Sequence, residues 1–348
     1  LMHRTTIPGR RLLFALAMVF ISVHVFQQGN LHAVRINDDY GMSDQRAYIE
    51  IARRMELSGF THLSDGNRTP LYPFIQTLFG DPLQSTEELF TIGKMVNLGI
   101  TVICLLAILL LLLRFFPLGW STLLVYIIGY SLFVFKAGFY QTEILYWTLS
   151  FFAFVFMLQM LDGPTFALAA GVGVFSGLAQ MAKASQLPAL MLFLAVFILK
   201  VFFERKSNGP RAFRLSLGQA AIVTLLFLVV CSPYLRFNLT NYGSPFYNVN
   251  SVYMWFDRFQ DANDWVTEHQ KTSFERDPDE EWPSLETYVK SHSLGEVLQR
   301  IRYGFISIGR VLVRPFNAYS YWLIGLLILS LLILLNHRHI LPYVKSHL

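Results

Sequence analysis

Residues 93–113 read GKMVNLGITVICLLAILLLLL. A bilayer core about 30 Å thick is crossed by a helix of roughly 20 apolar residues, and this run has that length and character. Working outward, the same reading applies to Leu12–Phe26, Leu118–Phe135, Glu143–Leu161, Phe166–Met181, Leu187–Phe203, Leu215–Leu235 and Tyr321–Leu335. The fold class expected is an all-α polytopic membrane protein of about eight transmembrane helices. Composition agrees. Of 348 residues, 54% are hydrophobic, 15% aromatic and only 15% charged, with mean hydropathy +0.44. A soluble domain carries roughly 25% charged residues to wet its surface, so a soluble enzyme is excluded. The 31 Phe and 16 Tyr exclude intrinsic disorder. Cys104 and Cys231 sit inside apolar runs and offer neither a disulfide framework nor a thiolate metal site.

The net charge of +5 is modest, so where the basic residues fall matters more than their sum. In a membrane chain they set orientation rather than bind nucleic acid. Arg4, Arg10 and Arg11 precede the first span, and Arg114 follows the second. Lys200, Arg205, Lys206, Arg211 and Arg214 lie between the sixth and seventh. His337, Arg338, His339 and Lys345 follow the eighth. Eight spans with both termini cytoplasmic put every cluster on one face, which points to a multi-pass protein of a cell membrane, a bacterial inner membrane by preference. Leu12–Phe26 is short and follows Arg10 and Arg11, so it could be a signal peptide. No small-residue cleavage site follows, and His24, Gln27 and Gln28 come next, which favours a retained anchor. The organisation expected is a transmembrane module over 1–235 that includes an outward loop 27–91, a second outward segment 236–320, and a last helix with a cytoplasmic tail over 321–348.

The outward loops carry the polar residues. Ser43 is a good N-cap residue. Ala47, Tyr48, Ile51, Ala52 and Met55 then form an apolar stripe at helical spacing, with Arg46, Glu50, Arg53 and Arg54 on the other side. This predicts a juxtamembrane amphipathic helix lying flat at the interface. Asp44 sits in its first turn, where the helix dipole stabilises a carboxylate; alone it would read as a cap. Asn67-Arg68-Thr69-Pro70-Leu71-Tyr72-Pro73-Phe74 forms a proline-stiffened re-entry with Arg68 at its mouth. An arginine there either snorkels to headgroups or clamps a phosphate with its planar fork. Glu143 lies at the outward end of the fourth span, and Lys183 opens the turn between the fifth and sixth. Charges at membrane depth are costly and usually functional. Arg236 adds a further cation after Pro233-Tyr234-Leu235.

Asp44, Arg68, Glu143 and Lys183 all map to the outward face. Cations there would hold a phosphate or pyrophosphate on a lipid carrier, and a carboxylate would take a proton from an acceptor hydroxyl. That division of labour suits transfer of a sugar from a polyprenyl phosphate, and it needs no ATP or nucleotide sugar.

The order of motifs also resembles a known family. Asp-x-x-x-Tyr lies on the juxtamembrane helix, followed by Arg-x-Pro-x-Tyr-Pro and an acidic outward turn. Gly-Leu-Ala-x-x-x-Lys comes next, then Pro-Tyr-x-Arg before Asn238, and Gly-x-Pro at Gly243–Pro245. Together they are similar to the GT-C membrane glycosyltransferases, in the branch of the protein O-mannosyltransferases, the lipid A aminoarabinose transferase and the rhizobial lipopolysaccharide-core transferases. The likeness runs from Leu12 to Phe246 and is densest over Asp44–Met55. It implies a GT-C-like bundle, a polyprenyl-phosphate sugar donor, an extracytoplasmic acceptor that is a glycan, lipid or protein, and inversion at the sugar. By position it makes Asp44 the base and Glu143 a supporting carboxylate. It makes Arg68, Lys183 and Arg236 phosphate ligands, with Asp39, Tyr48 and Asn238 completing the substrate-binding set. Gln45 stands where family members carry Glu, and Phe237 separates Arg236 from Asn238. The active site is expected in an outward cavity roofed by the amphipathic helix and the 236–320 segment, with no cofactor called for and the metal requirement left open.

Two other classes make different demands on the sequence. A lipid-linked sugar flippase or secondary transporter would show repeated halves and charges near the midplane; the sequence shows neither. A non-catalytic membrane scaffold would tolerate loss of Asp44. Asn67-Arg68-Thr69 and Asn238-Leu239-Thr240 match glycosylation triplets that arise often by chance. Asp277, Asp279, Glu280 and Glu281 read as a solvated acidic loop, and His337 and His339 as orientation-setting residues. No Walker-type phosphate loop is present, which argues against an ATP-driven pump.

Overall fold

The computed structural model describes residues 8–271 and 281–312. The chain forms two compact units, Leu1–Asn248 and Val249–Leu348, and no strand occurs among the described residues. The first unit runs α1 (Pro8–Arg35), α2 (Gln45–Leu57), α3 (Leu71–Thr77), α4 (Thr86–Leu112), α5 (Leu118–Ile128), a π-helical turn at Gly129–Phe133, α6 (Val134–Ala137), α7 (Glu143–Asp162), α8 (Phe166–Ala182) and α9 (Leu187–Tyr242). The second contains a 3₁₀ turn at Val249–Trp255, α10 (Phe259–Lys271), α11 (Leu285–Ser291) and α12 (Leu294–Leu312).

Among the described residues, six helical stretches are long and apolar enough to cross a membrane: Leu12–Arg35, Thr86–Leu112, Leu118–Ala137, Glu143–Asp162, Leu187–Glu204 and Gly209–Tyr242. The protein is therefore built as a multi-pass membrane protein. The fifth expected span is a shorter apolar helix, Phe166–Ala182. The eighth, Tyr321–Leu335, and the basic cluster after it lie outside the described residues.

Several boundaries move, each for a local reason. The first helix continues through Gln27 and Gln28 to Arg35, so the outward loop starts later than expected. The second span begins earlier, at Thr86, because Ser85 and Glu88 form a reciprocal capping box. Lys200 and Arg214 are joined by helix rather than loop, and the break falls at Gly209, whose φ of 78° only glycine adopts without strain.

Packing relies on close backbone approach, as between helices in lipid. In α8, a Cβ on Gly173 would stand 2.7 Å from the Val223 carbonyl oxygen, and one on Gly177 would stand 2.8 Å from the Val230 Cβ. These glycines let α8 lie directly on the second half of α9. Ala169 and Val172 join Ala220, Val223 and Phe227 in one buried cluster. Ile21 and Val25 of α1 meet Leu98, Leu105 and Leu109 of α4 in another. Leu13, Leu16, Val19 and Phe20 remain exposed, as a lipid-facing stripe would.

Candidate functional site

The site is assembled by two loops stitched together through amides. Gln45 is fully buried. Its Nε2 donates to Asn37 Oδ1 at 2.8 Å and to the Met42 and Asp39 carbonyls at 3.1 and 3.2 Å. Its Oε1 accepts from Asn37 Nδ2 and from the Tyr140 N–H, both at 2.8 Å. Asn37 Nδ2 also reaches the Gly138 carbonyl at 2.8 Å. An amide suits this place, because it both donates and accepts where a carboxylate can only accept. Gln141 Nε2 adds a bond to Ser43 Oγ at 2.6 Å.

The start of α2 differs from the sequence expectation. Ser43 is not the N-cap; it takes a left-handed conformation with φ 59°. Asp44 occupies the cap position without making a side-chain cap bond, because its carboxylate is turned to Arg68. The buried face is also rotated from the expected stripe: Gln45, Tyr48, Ile49, Ile51, Ala52 and Met55 are buried. Tyr48 and Ile49 join Tyr72 of α3, Leu89 and Phe90 of α4, and Tyr140 in one cluster. The apolar side of α2 is covered by protein.

Arg68 donates to Asp44 Oδ1 at 2.6 Å and to Asp65 Oδ2 at 2.5 Å. Asp65 Oδ1 in turn accepts the N–H groups of Asn67 at 3.0 Å and Arg68 at 2.7 Å. Burial works against the guanidinium charge, but Asp65 and Asp44 outweigh it and push the Arg68 pKa up. The guanidinium lies 5.8 Å from the Tyr48 ring centre. Asp44 stays 56% exposed while held by this bond, so a reactant can reach its remaining lone pairs.

Glu143 and Lys183 are brought together by Thr142, whose hydroxyl donates to the Ala182 carbonyl at 2.9 Å and ties the start of α7 to the end of α8. Lys183 Nζ then lies 3.6 Å from Glu143 Oε1. Glu143 Oε2 is buried without a partner. Tyr48 links the two pairs. Burial, then the charges of Glu143 and Asp44, push its phenol pKa up, so it stays protonated. Its ring meets Tyr72 edge-on at 5.5 Å, and Tyr72 meets Tyr140 likewise at 5.5 Å. A Cβ on Gly93 would fall 1.9 Å from the Tyr140 ring, so the aromatic stack presses on bare backbone.

The remaining expected site residues are placed elsewhere. Asp39 is exposed and its carboxylate caps the Gly41 N–H at 2.7 Å, a turn role. Arg236 is exposed and pairs with none of the site carboxylates among the described residues. Asn238 is buried and donates to the Pro245 and Tyr247 carbonyls at 3.3 and 3.1 Å, which pins the turn after α9.

Three polar residues to which residue order assigns no site role hold the cluster together. Asp65 shares Arg68 with Asp44; the Asp65-Gly66-Asn67 turn signal could have revealed it. Lys94, buried in α4, donates to the Ala33 and Asn37 carbonyls at 3.0 and 2.9 Å and satisfies the end of α1. Arg53 locks α2 to the start of α4 through the Pro82 and Gln84 carbonyls at 3.1 and 3.0 Å.

Beside the cluster opens a groove of about 430 Å³, which Ser43, Arg46, Glu50, Arg54, His62 and Asp65 help to line. Burial and the charge of Arg54 lower the His62 pKa. Among the described residues no group of three His, Cys, Asp or Glu side chains is arranged to hold a metal ion. The arrangement can offer a positioned, accessible carboxylate at Asp44, a protonated phenol at Tyr48 and a second carboxylate oxygen at Glu143. Compared with family models, curated proteins and solved structures, the chain matches none.

Proposed function

We propose that this chain is an integral-membrane glycosyltransferase that moves a sugar from a polyprenyl-phosphate-linked donor to an acceptor on the extracytoplasmic side. The observation that carries the reading is the Asp44–Arg68 pair at the start of α2: an accessible carboxylate held at 2.6 Å by a half-buried guanidinium. In this reading Asp44 accepts the proton of the acceptor hydroxyl as the oxygen attacks the sugar, and the lipid phosphate leaves with the bonding pair. Arg68 orients Asp44, because two carboxylates already neutralise its charge. Tyr48 donates a hydrogen bond, and Lys183, half-exposed beside Glu143, stabilises the leaving phosphate. General-base catalysis of this kind contributes roughly 10²–10⁴-fold.

The test is transfer activity of Asp44→Asn in the full chain. The substitution keeps the shape and one acceptor oxygen toward Arg68 but removes the base. Transfer from a polyprenyl-phosphate sugar should fall by about 10²–10⁴-fold with insertion and unfolding temperature nearly unchanged. Unaltered cell-envelope glycans in the variant strain, read by mass spectrometry, would remove Asp44 as the base.

A further inference from the structure

Most cations near α2 are already neutralised. Arg68 is shared by two aspartates, Arg53 takes Glu50 Oε1 at 3.0 Å, and Lys183 faces Glu143. Arg46 and Arg54 differ. Both are exposed, both line the groove of about 430 Å³, and neither has a side-chain ion pair among the described residues.

Arg46, Glu50 and Arg54 follow one another at four-residue steps, so they stand in a row on one helix face. That face is turned away from Tyr48, Ala52 and Met55, which are buried in protein. The row spans about 12 Å along the axis, within reach of two long arginine side chains converging on one anion. The two acids of the wall, Glu50 and Asp65, have their charge engaged by Arg53 and Arg68. The groove therefore offers two unspent guanidinium forks facing a concave space, and His62 on its wall registers the field of Arg54. Planar guanidinium forks pair bidentately with the oxygens of a phosphate.

We propose that the groove on this face of α2 binds a phosphate group, a monoester or diester, between Arg46 and Arg54. The site rests on the groove's shape and charge alone and does not need the glycosyl-transfer reading. A lipid headgroup and a free phosphate share the recognised chemistry.

The experiment uses the full chain in phosphatidylcholine nanodiscs, with binding read by isothermal titration calorimetry. The probes are citronellyl phosphate, citronellol and inorganic pyrophosphate. The wild type should bind at least one phosphate probe and not citronellol. Arg46→Ala and Arg54→Ala should each weaken that binding about tenfold, the double variant should abolish it, and Arg46→Lys should restore part of it. Lys290→Ala, in the other unit, should bind as the wild type does. Binding of citronellyl phosphate alone assigns the site to a lipid headgroup, and binding of pyrophosphate alone assigns it to a free phosphate; either supports the anion site. The proposal is overturned if the double variant binds as well as the wild type, or if no phosphate probe binds at millimolar concentration. Sugar transfer by Asp44→Asn is a separate readout, so an anion site can stand while the transferase reading falls, and the reverse.

Discussion

Each of the two units holds a charged cluster against tyrosine, built in opposite senses. In the first, one half-buried cation, Arg68, is shared by two acids, Asp44 and Asp65, beside Tyr48. In the second, one exposed acid, Asp257, is shared by His292 Nε2 at 3.0 Å, the Tyr288 hydroxyl at 3.0 Å and Arg300 at 3.4 Å. Arg300 also donates to the Met254 and Phe256 carbonyls, and His292 stacks on Tyr288 at 3.9 Å. The difference is in what can change. A guanidinium keeps its charge at every pH a cell meets, so the first cluster holds a fixed field around an accessible carboxylate. An imidazole titrates near neutrality, so the second cluster is a pH-dependent clasp.

The largest expected effect is on activity: Asp44→Asn should remove the transfer reaction and leave the fold intact, while Asp257→Asn should loosen its own unit without abolishing transfer. Equal losses from both would erase the functional contrast. Next in size, Arg68→Ala strands two carboxylates that now share one cation. It should cost about 1–3 kcal/mol, and more than Arg300→Ala, whose partners are solvated. Thermal unfolding in detergent would rank the two, and an equal cost would remove the distinction between half-buried and exposed pairing. Gln45→Glu replaces donated amide bonds in a fully buried position with an acceptor. It should also cost roughly 1–3 kcal/mol and raise hydrogen exchange at Tyr140. A neutral outcome would mean that the amide network does not hold the two loops together.

The smallest effect is the pH response of the second unit. His292 is raised above the ordinary imidazole range, first by its bond to Asp257. Its contribution is therefore complete below that ordinary range and lost as pH rises through the raised value. Asp257 is lowered, first by His292. Its contribution is complete above the ordinary carboxylate range and lost as pH falls through the lowered value. Hydrogen exchange in α11 should be slowest between those limits. His292→Ala should remove the alkaline loss and shrink the acid one, which the Tyr288 hydroxyl and Arg300 still support; an unchanged alkaline limb would show that the clasp contributes nothing.

The membrane character of the chain and most of its long helices could be read from residue order, since hydropathy and helical period are local properties. The positions of Asp44, Arg68, Glu143 and Lys183 as a polar set were also legible, because charged residues in so apolar a chain stand out. Their partners were not. Lys183 lies beside Glu143. The Asp39 carboxylate accepts the Gly41 N–H, and Asn238 donates to the Pro245 and Tyr247 carbonyls. The Asp65-Gly66-Asn67 stretch announces a turn, but only the fold shows that Arg68 turns back onto Asp65.

What residue order alone determined is that this chain crosses a membrane repeatedly and places an amphipathic helix with an acidic start after its first span. Which acid meets which base was decided by tertiary structure. Those meetings depend on Gln45 reaching Tyr140, Thr142 reaching Ala182, and Gly93 yielding space to the Tyr140 ring. Such contacts join residues about forty or more positions apart, where no periodicity carries the information and only packing selects the pairs.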